Sequence, residues 1–275
     1  MPHIVTNDGV RLHYVERGSG APLVMIPGWS QSAAQFEAQT EALSAGRRVI
    51  AIDMRGHGES DKPEHGYKIQ RLAMDVRNAI EALGLARASL LGHSMGCSVI
   101  WCYLDLFGDE GLERLVLVDQ MPCAAARSEW SEQERQDAGA IFDGAGLYET
   151  IAALAGADGV ETTKGFVGSM FTDGFPAERV AWVIERNLMM PRRHAASLLL
   201  NHAMQDWRDL IPRIALPTLI VGGRASLIDW RSQEWMQRQI AGSQLEIFEE
   251  ADGGNHFMFM ENPERFNRLV DDFVR

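Results

Sequence analysis

Cysteine is scarce in this sequence: Cys97, Cys102 and Cys123 are the only three in 275 residues. None forms a CxxC pair or stands at ligand spacing from a histidine, so neither a disulfide framework nor a metal site is expected. Cys97 and Cys102 share one apolar helical stretch and read as small buried hydrophobes. Long apolar runs are also missing, and none approaches the roughly 20 residues that span a bilayer. The opening Met1-Pro2-His3-Ile4-Val5 lacks the basic and apolar blocks of a signal peptide, so a cytoplasmic location is expected. Positive charge is in deficit, with 26 Lys and Arg against 38 Asp and Glu and a formal net charge of −12. An acidic surface repels phosphate backbones and anionic lipid, which argues against nucleic-acid and membrane partners.

What is present is an ordinary globular composition, 46% hydrophobic and 23% charged, in a chain long enough to bury a large core. Short apolar runs alternate with helical patterns. Val10 to Glu16, Pro22 to Ile26, Arg47 to Ile52, Ala88 to Leu91 and Leu115 to Val118 read as strands, and residues 33 to 44, Tyr67 to Leu83 and 95 to 107 as helices. Continuous apolar strands separated by helices predict a mostly parallel α/β sheet covered on both faces. From Met121 to Ile211 no strand is expected, only helical segments rich in Trp, Met and Phe. The alternation resumes with Leu216 to Val221, a helix over Trp230 to Ile240, the strand Gln244 to Phe248 and a closing helix from Pro263. Residues 1–120 and 212–275 therefore read as the core and 121–211 as a helical cap over the strand ends, the edge where open α/β sheets bind ligands.

The sharpest local signal is Gly92-His93-Ser94-Met95-Gly96, a G-x-S-x-G between an apolar strand and a helix. In so tight a turn the glycines avoid backbone collisions, and the serine stands at a helix N-terminus whose dipole favours a developing anion. A serine hydroxyl needs a base. His256, in Gly253-Gly254-Asn255-His256-Phe257 after the last strand, falls at the same sheet edge. Of the other histidines, His57 reads as ordering its loop, His93 as packed beside the turn, and His194 and His202 as cap positions that could touch substrate but read more simply as solvated.

On these residues the whole chain resembles the α/β-hydrolase superfamily, with its chain order of serine, acid, histidine. The resemblance implies an eight-stranded, mostly parallel sheet with the cap inserted after strand 6. It extends to Asp53-x-Arg55-Gly56-His57-Gly58-x-Ser60 and to Pro27-Gly28-Trp29, the latter where the family has its oxyanion loop, usually His-Gly. It implies an oxyanion hole from the backbone N–H groups of Trp29 and Met95. The commonest acid position, after the strand at Leu219-Ile220-Val221, holds Ser226 in this sequence. The other position used in the superfamily, the end of the preceding strand, holds Asp119, which is the favoured acid, with Asp229 as the alternate.

The expected activity is hydrolysis of a carboxylic ester or lactone through an acyl-enzyme on Ser94, with no cofactor. The cap is rich in bulky apolar side chains. Trp29, Phe142, Trp182, Met189 and Phe257 are the candidates to line an apolar pocket for a hydrophobic small molecule. The chain is expected to be a monomer or a homodimer. The rival reading is a cofactor-independent dioxygenase of the same fold, which the Pro-Gly-Trp turn and the strand-end Asp119 resemble. There His256 and Asp119 would deprotonate the substrate.

Overall fold

The apolar runs of the sequence become the middle of one sheet, in a computed structural model that describes residues 2–275. The strands are β1 (His3–Val5), β2 (Arg11–Arg17), β3 (Pro22–Ile26), β4 (Arg48–Ile52), β5 (Ala88–His93), β6 (Leu112–Val118), β7 (Thr218–Gly223) and β8 (Gln244–Phe248). Their spatial order is β1-β2-β4-β3-β5-β6-β7-β8. β2 pairs antiparallel with β1 and β4, and every other pair is parallel. Successive strand residues point to opposite faces. Thus Val24, Ile26, Ile50, Leu90, Leu117 and Ile220 enter one core, while Leu23, Met25, Val49, Leu91, Val116 and Val221 enter the other. Burial on both faces is why these strands read as continuous apolar runs.

Helices α1 (Glu37–Leu43), α2 (Ile69–Ala82) and α3 (Met95–Phe107) connect β3, β4, β5 and β6 in succession. Between β6 and β7 lie α4 (Glu132–Ala138), α5 (Gly144–Ala155), α6 (Gly159–Gly168), α7 (Ala177–Leu188) and α8 (Arg192–Ala203). In that segment extended pairing is limited to two isolated bridges, Cys123 with Asp206 and Ala125 with Phe142. The chain closes with α9 (Trp230–Gln239), α10 (Met258–Glu261) and α11 (Pro263–Val274). Among the described residues no helix is long and apolar enough to cross a membrane.

Two local expectations shift. The helix expected over 33 to 44 divides into a 3₁₀ turn, Ala33–Phe36, and α1. The short edge strand β1 was invisible to periodicity, because three residues with one buried side chain carry almost no pattern.

Candidate active site

Ser94 stands between β5 and α3 with φ 53° and ψ −127°, a conformation costly for a residue with a Cβ. The turn is enforced on three sides. A Cβ on Gly92 would lie 2.6 Å from the Gly96 carbonyl carbon, and one on Gly96 would lie 2.2 Å from the Ile26 carbonyl oxygen. The Ser94 N–H donates to the Val118 carbonyl at 2.8 Å, tying the turn to the end of β6. Three of the four non-glycine residues at positive φ, Ser30, Ser94 and Asp119, belong to this one region. Strain of this kind persists only where surrounding packing over-determines it.

Asp119 follows β6, fully buried, with its own N–H held by the Val221 carbonyl at 2.8 Å. Its carboxylate accepts three hydrogen bonds: from Gly223 N–H at 3.2 Å, from Ser226 Oγ at 2.5 Å and from His256 Nδ1 at 2.7 Å. Burying a carboxylate is tolerable when its lone pairs are filled in this way. The bond also assigns the His256 tautomer: Nδ1 carries the proton, leaving Nε2 as an acceptor. His256 is itself buried, its N–H donating to Asn255 Oδ1 and its carbonyl accepting from His93 Nε2, both at 2.8 Å. Ser94 and His256 line one cavity, although no hydrogen bond joins their side chains among the described residues. Such bonds are often long in the resting site and tighten around substrate. The alternate acid, Asp229, is elsewhere: it caps the N-terminus of α9, accepting from Arg231 N–H at 2.9 Å.

The Pro27-Gly28-Trp29 turn lies against Ser94. A Cβ on Gly28 would come within 2.9 Å of the Ser94 Cβ and 2.7 Å of Gln31 Nε2, so only glycine fits. Neither the Trp29 nor the Met95 backbone N–H donates to another group among the described residues. His57 props this turn from behind, its Nδ1–H donating to the Arg55 carbonyl at 2.8 Å and its Nε2 accepting from Ser30 N–H at 3.1 Å. Both bonds suit the neutral ring, and burial pulls its pKa down to about 4. His93 packs beside the elbow, where burial holds it well below the ordinary histidine range.

A cavity lies against Ser94 and His256, walled by strand-end loops below and α6 to α8 above. Of the residues expected there, Trp29, Phe142 and Phe257 line it, and Trp182 and Met189 do not. α7 turns Val183 and Asn187 inward, one helical turn apart. Trp182 is therefore rotated toward its own arginines, with the Arg179 and Arg186 guanidinium carbons 4.9 and 5.8 Å from its ring. Met189 ends the helix and meets Arg186 through its sulfur. The solvated reading of His194 and His202 also fails, because each is only 6% exposed. His194 stacks on Tyr67 at 4.3 Å, and His202 lines the cavity.

Gln31, Gln120 and Asn187 are cavity residues that the sequence reasoning missed, and His202 it weighed as a substrate contact but set aside. A signal for His202 existed: Ala195, Leu198, Leu199 and His202 recur at helical spacing along the buried face of α8. Among the described residues no group of three or more His, Cys, Asp or Glu side chains could hold a metal ion.

Fold and turn geometry together define an α/β hydrolase. The sequence profile of the Alpha/beta hydrolase family matches residues 23–269, and the chain belongs to that family. The chain is 29% identical over 279 residues to the AB hydrolase superfamily protein YisY of Bacillus subtilis, covering 98% of each. Among solved structures it is similar to an esterase from Exiguobacterium antarcticum, with a TM-score of 0.85 and 29% identity over 99% of this chain and 98% of that one. A bromoperoxidase from Bacillus anthracis shares the fold at TM-score 0.90 and 23% identity, with 99% of both chains covered.

Proposed function

We propose that the chain hydrolyses carboxylic esters or lactones of hydrophobic small molecules by two-step acyl transfer. The observation that carries this reading is the buried Asp119–His256 pair, joined at 2.7 Å, opening on the same cavity as Ser94. Ser94 Oγ attacks the substrate carbonyl as His256 Nε2 takes its proton, and Asp119 stabilises the imidazolium. The Trp29 and Met95 N–H groups receive the oxyanion without reorganising. The leaving alcohol departs with the proton from His256. Water, deprotonated by the same ring, then attacks the acyl-enzyme and releases the acid. The similarity to the Exiguobacterium antarcticum esterase supports this chemistry.

The deciding experiment sets p-nitrophenyl esters of increasing chain length beside a lactone panel, with Ser94→Ala as control and fluorophosphonate labelling as a site probe. The reading requires turnover and labelling in the wild type and neither in the variant. The Pro27-Gly28-Trp29 turn and the strand-end Asp119 favour one second reading, a cofactor-independent dioxygenase. Oxygen uptake with a hydroxyquinolone-type substrate that survives Ser94→Ala would select it.

A further inference from the structure

Four polar side chains of the cavity, Gln31, Gln120, Asn187 and His202, are not used by the acyl-transfer scheme, and two of these, His202 and Gln120, have a buried atom without a partner. His202, on α8, is buried and lines the same space as Ser94. Its Nδ1 has no hydrogen-bond partner, and its Nε2 makes none either among the described residues. Gln120, the residue after Asp119, donates its amide Nε2 to the Met121 carbonyl at 3.0 Å. That bond orients the amide and leaves Gln120 Oε1 buried with no partner. A buried polar atom without a partner costs free energy, and nearly all such atoms in folded proteins are satisfied. Both side chains line one cavity, among Phe142, Phe166, Leu199 and Ile228, so a ligand held there is in position to complete the bonds they lack.

We propose that the cavity selects substrates carrying a hydroxyl group on an otherwise apolar body, bound through His202 and Gln120. This deepens the ester-hydrolase reading and rests on it. The chemistry of the pair narrows the ligand group. Burial draws the His202 pKa down to about 4, so at neutral pH the ring offers one N–H and one lone pair. Gln120 Oε1 only accepts. A hydroxyl, which donates once and accepts, satisfies such a set. A carboxylate cannot donate, and no Lys or Arg among the described residues lines the cavity to receive one. An ammonium cannot accept, and no Asp or Glu among the described residues lines the cavity either. A methyl group in the same place leaves both protein atoms unpaired, which is how a hydrogen-bonding site rejects an isostere.

The test uses matched pairs differing only in hydroxyl against methyl. On the acyl side these are p-nitrophenyl 3-(4-hydroxyphenyl)propanoate and its 4-methyl analogue; on the alcohol side, 4-hydroxyphenethyl and 4-methylphenethyl acetate. In one arm the wild-type kcat/KM should favour the hydroxyl compound by about tenfold or more. His202→Phe should erase that preference, chiefly by slowing the hydroxyl compound, and His202→Gln, which keeps a donor and an acceptor, should retain most of it. The fluorophosphonate should still label Ser94 in both variants, which shows that each folds with its site formed. Wild-type rates within threefold for both pairs would overturn the proposal, and so would a preference that survives His202→Phe. Ketone analogues of the same pairs, read by Kd, separate its failure from failure of the hydrolase reading. If no ester turns over yet the hydroxyl ketone binds about tenfold tighter, the cavity assignment stands; equal Kd values overturn it.

Discussion

Ser226 Oγ donates to Asp119 Oδ2 at 2.5 Å, the same carboxylate oxygen that His256 Nδ1 meets at 2.7 Å. The residue standing where the superfamily more often has its acid thus hydrogen-bonds Asp119, at the end of the neighbouring strand. Ser226→Ala would remove one of three donors to a buried carboxylate and loosen the oxygen that orients His256. The expected result is a fall in kcat of roughly tenfold with KM nearly unchanged. Steady-state kinetics on the best p-nitrophenyl ester would show it, and a changed KM with an intact kcat would contradict it.

Asp119 and Asp229 differ in what they hold. Asp119→Asn keeps the shape but replaces a charge with an amide that favours the wrong imidazole tautomer, and kcat should fall by about 10²- to 10⁴-fold. Asp229→Asn keeps a good helix cap on α9 and should leave kcat within about twofold. Asp229→Ala should cost about 1 kcal/mol of stability, read by denaturant unfolding, again with little change in kcat. Loss of activity in Asp229→Asn alone would reverse the assignment.

Acid should destabilise the fold through its buried histidines. His57 and His202 have pKa values pulled from 6.5 down to about 4 by burial, so the unfolded chain binds their protons first as pH falls. Their stabilising contribution is complete above pH 6.5 and is lost as pH drops toward 4. Each contributes a slope of about 1.4 kcal/mol per pH unit in that window, or about 3 kcal/mol across it. Urea unfolding between pH 7 and 4.5 measures the slope. His202→Gln should reduce it by the share of one histidine, and an unchanged slope would show that His202 is already protonated in the folded chain.

Gly96 and Gly28 separate stability from function. Gly96→Ala drives a Cβ to 2.2 Å from the Ile26 carbonyl oxygen, and backbone on both sides cannot yield, so a loss of several kcal/mol is expected. Gly28→Ala presses instead on the Ser94 Cβ and the mobile end of Gln31. It should lower kcat at least as much as about 10²-fold while shifting the melting temperature less than Gly96→Ala does. Thermal melts and ester kinetics on both variants test the contrast.

The sequence by itself determined the parts whose cause is local. Apolar runs became strands because both sheet faces are covered, and alternating side chains filled two cores. Gly92, Ser94 and Gly96 announced their turn because its backbone tolerates no other spacing of small residues, and Pro27-Gly28-Trp29 did so for a similar reason. The tertiary structure alone decided which distant groups meet. Asp119 and Asp229 were both open as partners of His256 until the pairing of β6 with β7 and the path of the following loop brought one carboxylate to 2.7 Å and left the other capping α9. The packing of α7, which that helix's sequence does not dictate, turned Trp182 toward Arg179 and Arg186, and the placement of α8 set the His202 end of its buried face against the cavity. Periodicity says which residues share a helix's buried face; only the neighbours it packs against determine whether that face meets core or cavity.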